Sequence, residues 1–504
     1  MLWLGVQLFL LFIGVVVAGA REEKRLNVLL IVVDDLRPEF NVSYGQTHLV
    51  TPVLDTFAKD SLTFNRAYTQ YAHCSPSRNS FLSGRSPQST GVYNFIDDFR
   101  HPPSGDGSTI VSLPEHFKKH GYWTVGGGKV FHPGRPANND MPKSWTEYTF
   151  PNGDDPGCRA NETIYSGVCP TQEPDDWFYD NQLAQNVVQN MQKAKQKGMP
   201  FFLAAGIRRP HRPWDVPDRF YNLYKKENIP LAKHTKGPTG MPELAYIQNS
   251  WPPVHYNQSN PVSDDIDRLA RLGYYASVSF TDYNIGILLD GLDRYNFTSN
   301  TVVAIVSDHG WHLGEQGEYC KRTNFELAVR VPILIRSPKH VQTFGKRTDS
   351  LFELLDLYKT LNALSGAADR VQTGVEGEDL SELFKNFDAK SKARAFAFSQ
   401  MARCPQPNTL GPDSACNQVK RSDIAYMGFS VRNARWRFTV WLEFVGEKNR
   451  AVWPDSLGKV HGQELYDHKD DDGTNYDRFE LDNIASEYPG VCSSLYSVLR
   501  NEFA

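Results

Sequence analysis

Charge of one sign is missing from this sequence: 54 Lys and Arg face 58 Asp and Glu, a formal net charge of −4 over 504 residues. So balanced a chain has no global field for nucleic acid, and an anionic substrate would need a local basic site. Internal repeats are absent, and no stretch has the bias of a disordered or fibrous protein. Cysteine is scarce and odd in number, seven in all, so pairing leaves at least one over. What is present is 40% hydrophobic and 12% aromatic residues, enough for a large core, at a length that suggests two or more structural units.

The first twenty residues stand apart. Met1 to Val17 is almost wholly apolar, Ala18-Gly19-Ala20 follows, and then comes a charged run to Arg25. An apolar segment ending in A-x-A reads as a cleaved secretory signal, although no Lys or Arg precedes it. The alternative is an uncleaved signal anchor. Either places the rest on the non-cytosolic side, with no stable membrane insertion after cleavage. Sequons at Asn41, Asn161, Asn257 and Asn296 agree with that side. So do the short spacings Cys158 to Cys169 and Cys404 to Cys416, which read as local disulfide loops.

Leu26 to Val33 is a continuous apolar run ending in Asp34-Asp35, and Thr301 to Val306 is another ending in Ser307-Asp308-His309. Runs without alternation predict strands covered on both faces, as in a parallel sheet between helices. Ser112-Leu-Pro-Glu115 has the form of a capping box that starts a helix stopping at His120-Gly121. Apolar residues at Leu183, Val187, Val188, Met191 and Ala194 predict a helix before Gly198, followed by the strand 201–205. A long helix is expected from Ile266 to Tyr295. The alternation argues for an α/β sandwich with right-handed crossovers, whose ligands gather at the strands' carboxyl ends. From about residue 390 short aromatic strands with polar alternation (396–399, 426–432, 435–444) and a terminal helix near 493–502 predict a smaller antiparallel sheet with a helix.

The decisive stretch is His73-Cys74-Ser75-Pro76-Ser77-Arg78, continuing to Ser83-Gly84-Arg85. It resembles the signature of the type I sulfatases, Cys-x-Pro-Ser-Arg with a Gly-Arg close. In that family the cysteine is oxidised to formylglycine by a formylglycine-generating enzyme. That would remove Cys74 from disulfide pairing and leave six cysteines. The hydrated aldehyde offers one hydroxyl to attack sulfur and a second whose deprotonation expels sulfate, so water need not attack the hindered sulfur. Arg78 would orient this group and hold the loop.

A sulfate ester also needs its charge neutralised, which a hard divalent cation does well. Asp34, Asp35, Asp308 and His309, with the modified Cys74, are the candidate ligands, and the resemblance names one Ca2+. Within the family, Gly128-Lys129-Val-Phe-His132-Pro-Gly134 is typical of the iduronate-sulfatase branch. It implies Lys129 on the sulfate oxygens and His132 as a base. His211, in the basic run Arg208 to Arg212, would contact sulfate and protonate the leaving oxygen. Lys321 would be the second sulfate-gripping cation, and Trp311 would offer a ring face to a sugar or belong to the core.

The resemblance runs from residue 26 to about 466. It implies an alkaline phosphatase/sulfatase-like α/β fold: a large, mostly parallel sheet sandwiched by helices, with a smaller C-terminal antiparallel sheet plus helix. The expected division is a signal at 1–20, a catalytic unit at 21–390 and a C-terminal unit at 391–504. The expected activity is hydrolysis of the 2-O-sulfate of iduronate in heparan or dermatan sulfate, in the lysosome or outside the cell. The alternatives are another sulfated glycan or small sulfate ester, a phosphatase or phosphonate hydrolase of the superfamily, or an inactive glycan-binding homologue. Three features depart from the branch. The lead-in Ile207-Arg208-Arg209 is unusually basic, the Cys404 to Cys416 loop, after the strand Phe398-Ser399-Gln400, departs from the usual position of the family's second crosslink, and Cys320 adjoins Lys321, free or paired with Cys492.

Overall fold

Alternate residues of the apolar runs face opposite sides, and both sides are covered. In the computed structural model, which describes residues 25–150, 167–247, 260–387, 394–404, 416–474 and 478–504, Leu29, Ile31 and Val33 enter one core while Val28, Leu30 and Val32 enter another. The strands Thr301–Ser307 and Phe201–Ile207 split between the same two cores in the same way. This is why none of these runs alternates apolar with polar.

The large sheet has eight strands. Its order is Lys346–Glu353, Leu62–Tyr68, Ile333–Arg336, Thr301–Ser307, Asn27–Val33, Phe201–Ile207, Trp123–Gly128 and Glu147–Phe150. Seven run one way, and Ile333–Arg336 is antiparallel to both its neighbours. Asn27–Val33 lies at the centre, in register with Thr301–Ser307 on one side and Phe201–Ile207 on the other. The residues just past these strands therefore meet at one edge of the sheet: Asp34 and Asp35, Asp308 and His309, Arg208, and Lys129.

Helices cover both faces. Ser112 caps Leu113–Lys119 with a complete capping box to Glu115, as its spacing predicts. Tyr179–Lys197 ends at Gly198, whose φ of +65° closes the helix. Asp264–Arg294 is the longest helix among the described residues, and its partly apolar length packs on the first core. No described helix is long and apolar enough to cross a membrane.

The C-terminal antiparallel sheet comprises Ala397–Arg403, Tyr426–Arg432, Trp436–Val445, Arg450–Ala451 and Gly462–Asp467, with the helix Pro489–Phe503 against it. Its core includes Tyr68, Tyr71, Ala72 and Phe325 of the larger unit. Gln400 N–H donates to the Gln70 carbonyl at 2.8 Å. The smaller sheet thus buttresses the segment that leads into Cys74.

Cys404 and Cys416 are disulfide-bonded, with Cα atoms 5.3 Å apart. Cys169 is disulfide-bonded as well; Cys158 lies outside the described residues. Cys320 and Cys492 are buried free thiols, so the alternative pairing between them is not formed. Asn41 and Asn296 are exposed, whereas Asn161, Asn257 and the N-terminal segment 1–20 lie outside the described residues.

Candidate active site

Cys74 is the first residue of the helix Cys74–Ser83, with His73 as its N-cap, and every residue of this helix is buried. Most of the polar side chains of this buried helix are matched, although Ser80 Oγ is not. Ser77 Oγ donates to the Asp308 carbonyl at 2.5 Å, and Asn79 Nδ2 donates to the Ser75 carbonyl at 2.8 Å. The helix closes at Gly84 with φ +67°, where a Cβ would come within 2.8 Å of Val375. Only glycine fits there.

Arg78 ties the site together. Its Nε donates to Asp308 Oδ2 at 2.9 Å and its NH2 to Asp34 Oδ1 at 3.0 Å. Its NH1 donates to the carbonyls of Lys129 and Val130. Asp34, Asp308 and Arg78 are all fully buried. Lys129 reaches Asp34 because its backbone lies directly on Gly206, where a Cβ would fall 2.1 Å from the Lys129 carbonyl carbon. Its Nζ donates to Asp34 Oδ2, and Lys321 Nζ donates to Asp35 Oδ1 while standing 3.4 Å from Cys74 Sγ.

His309 Nδ1 lies 3.0 Å from the Gly310 carbonyl, which can only accept, so Nδ1 carries the proton. Burial, then Lys321, hold this imidazole well below its ordinary pKa and neutral. Its Nε2 lone pair therefore points inward, 3.3 Å from Cys74 Sγ and 3.5 Å from both Asp35 Oδ1 and Asp308 Oδ2. A cation held between this lone pair and ionised carboxylates would satisfy them together. Asp35 Oδ2 is buried with no partner, and one atom each of Asp34, Asp35, Cys74 and His309 lies within 4.8 Å of all the others. With an oxygen in place of the sulfur at position 74, as formylglycine would supply, three of these four donors are oxygens, which suits a hard divalent ion.

The carboxylates respond to the same crowding. Burial opposes ionisation of Asp34, but Lys129 and Arg78 outweigh it and hold the group well below the usual range. For Asp308 burial prevails over Arg78, and with Asp34 nearby the pKa is pushed up to about 8. Burial and the Asp34 charge also push the Cys74 thiol up to about 12. An unmodified thiol here is protonated and a weak nucleophile.

The remaining expected residues lie around this centre. His132 is stacked on Phe95 with ring centroids 4.4 Å apart, and burial, then Lys129, push it down to about 3. His211 is half-buried, with Nδ1 2.5 Å from the Arg212 carbonyl, which leaves Nε2 as the free ring nitrogen. Burial, then Lys129, lower its pKa too. The sugar-facing role expected for Trp311 does not fit its position. The ring is 2% exposed, belongs to the first core, and has Lys321 Nζ 4.9 Å from its centroid.

Other contributors carry no sequence signal. Asp180 accepts from the backbone N–H groups of Arg208 and Arg209, both at 2.8 Å, and so shapes the loop before His211. Arg209 is ion-paired with Asp215, which accounts for half of the unusually basic lead-in, whereas the Arg208 charge acts on Asp34 and Cys74. Tyr274 Oη donates to the Asp35 carbonyl and accepts from Arg37 N–H, both at 2.9 Å. It thereby holds Asp35 at a φ of +62°. Tyr274→Phe is expected to leave both backbone groups unpaired and cost about 1–3 kcal/mol of stability, read by denaturant unfolding.

With this geometry in view, the Sulfatase family model matches residues 26–367. The chain belongs to the sulfatase family. Iduronate 2-sulfatase from Homo sapiens is 33% identical over 533 aligned residues, covering 92% of this chain and 94% of that protein. Among solved structures, a phosphonate monoester hydrolase from Silicibacter pomeroyi superposes with a TM-score of 0.71 at 19% identity, covering 95% of each chain. A 2-O GAG sulfatase gives 0.66 at 20% identity, over 95% of this chain and 92% of that one. These two likenesses speak to the fold, which is alkaline phosphatase-like. This sulfatase is a hydrolase of sulfate esters.

Proposed function

We propose that this sulfatase removes the 2-O-sulfate of iduronate units in heparan or dermatan sulfate. The observation that carries the reading is Cys74 at the head of its buried helix, within reach of His309 and Lys321 and enclosed by Asp34, Asp35 and Asp308. The substrate part rests on the likeness to iduronate 2-sulfatase across nearly the whole chain. The same reading takes residues 21–390 as the catalytic unit and 391–504 as its C-terminal partner, in a lysosomal or secreted protein.

Asp34, Asp35, Asp308, His309 and the modified Cys74 would hold one Ca2+, which supplies charge neutralisation for the sulfate. Formylglycine at position 74, made by the formylglycine-generating enzyme, supplies the hydroxyl nucleophile and the means of release. The chain's own groups do the rest. Lys129 and Lys321 bind sulfate oxygens from opposite carboxylates, their ammonium groups fixed by Asp34 and Asp35 before substrate arrives. Arg78 keeps the position 74 helix and the two Asp-bearing strand ends in one rigid unit. His211, neutral in the free protein, gains a proton when the sulfate anion raises its pKa, and delivers it from Nε2 to the leaving oxygen. His132, kept neutral by burial and Lys129, is the base that accepts the proton of the second hydroxyl.

Sulfate release from disaccharides differing in sulfate position and uronate tests the specificity. Two-O-sulfated iduronate should turn over fastest; turnover of glucosamine sulfates alone would replace the iduronate assignment with another sulfated glycan. Calcium is tested without activity. Adding it at a hundredfold excess over Kd to chelator-stripped protein should stabilise the fold by about 2.7 kcal/mol, a rise in Tm that Asp35→Asn abolishes. No response in the native sequence would remove calcium from the reading.

A further inference from the structure

Among the described residues nothing hydrogen-bonds to the His132 ring, and its Nδ1 is buried without a partner. The orientation of a working histidine is ordinarily set by a hydrogen bond to one of its ring nitrogens. Here an aromatic ring takes that place. Phe95 lies against His132 with centroids 4.4 Å apart and ring planes 20° apart. It lies against His73 as well, at 4.2 Å and 32°. Two imidazoles this close to one face of a single ring would touch each other. No ring contact between His73 and His132 occurs among the described residues, so Phe95 stands between them with one face to each. Neither face is left open to a sugar.

The stack is built onto the site at both ends. His73 is the N-cap of the helix that begins at Cys74. Arg78 of that helix donates to the carbonyls of Lys129 and Val130, just before His132. Phe95 in turn is held from outside. Fully buried Asn94 shapes its turn, with Oδ1 accepting from the N–H groups of Ile96 and Asp97, both at 2.9 Å. Asn94 Nδ2 donates to the Val419 carbonyl at 2.8 Å, and Phe95 N–H donates to the Asn417 carbonyl at 2.9 Å. Asn417 follows Cys416, which the disulfide to Cys404 fixes. The Phe95 carbonyl accepts from Arg135 Nε at 3.0 Å, and Arg135 N–H donates to the His132 carbonyl at 2.9 Å.

We propose that Phe95 is a positioning residue: clamped between His73 and His132, it fixes the His132 imidazole in the orientation that its role as base requires. The crosslinked segment after Cys416 thereby acts on a reaction that it does not touch. This rests on the reading of His132 as the base and adds to it what holds the base in place.

The test uses the full mature chain carrying its modified residue, with Phe95→Leu, Phe95→Tyr, His132→Gln and the double variant. The desulfated sugar departs before the sulfate that His132 helps to expel, so the two half-reactions separate kinetically. Phe95→Leu should lower kcat about 10- to 100-fold, with KM falling alongside and kcat/KM nearly unchanged. Phe95→Tyr, which keeps both ring faces, should recover most of the rate. In the His132→Gln background Phe95→Leu should lower kcat no further, because both changes act on one group. A second readout needs no turnover. In protein with labelled histidine, converted at position 74 or not, the ring current of Phe95 should shift the His132 ring protons upfield in NMR spectra. Phe95→Leu should move them towards the signals of exposed histidines, and His132→Gln assigns the resonance. A further loss of kcat in the double variant overturns the inference, as does a His132 signal that Phe95→Leu leaves in place. If His132→Gln is slow while Phe95→Leu keeps the native kcat, the positioning role alone falls. Native sulfate release from His132→Gln removes the base reading, and the inference with it.

Discussion

Cys74→Ala is expected to abolish sulfate release, lowering kcat by at least about 10⁴-fold, while the protein stays folded. The side chain at position 74 is 2% exposed and touches the site through its Sγ, 3.3 Å from His309 Nε2 and 3.4 Å from Lys321 Nζ. Neither contact supports the helix, whose matched polar residues include Ser77 and Asn79. Removing the sulfur should therefore change Tm little, which separates lost chemistry from lost structure. The same experiment has an unmutated arm. Protein made without the converting enzyme keeps a thiol that burial and Asp34 push up to about 12, so it should be inactive at neutral pH. Mass measurement of the peptide containing position 74 distinguishes the two forms. Sulfate release at the native rate from an unmodified thiol would remove position 74 from the reaction.

Arg78→Met should have the largest effect on stability, about 3–5 kcal/mol. Arg78 is fully buried and donates to two carboxylates and two backbone carbonyls, on three strand ends far apart in sequence. Without it Asp34 keeps only Lys129 and Asp308 loses its guanidinium partner, and burial already pushes Asp308 up to about 8 with the arginine present. Arg78→Lys keeps the charge but not the fork that spans both aspartates, so it should recover only part of the loss. Urea unfolding of the three proteins at one calcium concentration measures this. Native stability in Arg78→Lys would mean that charge alone suffices and that the bridging geometry contributes nothing.

Elements with a strong local signal were legible before any tertiary contact was known. The unbroken apolar runs at 26–33 and 301–306 follow from strands covered on both faces, which the structure places at Asn27–Val33 and Thr301–Ser307, and the Ser112 capping box from backbone groups that a helix start leaves unpaired. Boundaries were less legible: the strand expected at 396–399 extends to Arg403, because its outer half is stabilised by pairing with Tyr426–Arg432 rather than by its own composition. Trp311 shows the limit at the site. A Trp after a metal-type Asp-His pair suits a sugar ring or a core equally well, and only its packing against the first core decides for the latter.

The sequence by itself pointed to position 74 and to the residue types proposed around it, because the Cys-Ser-Pro-Ser-Arg stretch, the Asp34-Asp35 pair and the Asp308-His309 pair are each short local patterns. Tertiary structure decided which groups hold those residues in place. Tyr274 reaches Asp35 across 239 positions and Asp180 reaches Arg208 across 28, and neither spacing is a local period. It also decided which cations are paired. Arg209 is tied to Asp215, six positions on, a spacing that no local period marks. Charge compensation depends on distance in space, and the sequence lists charges without their neighbours.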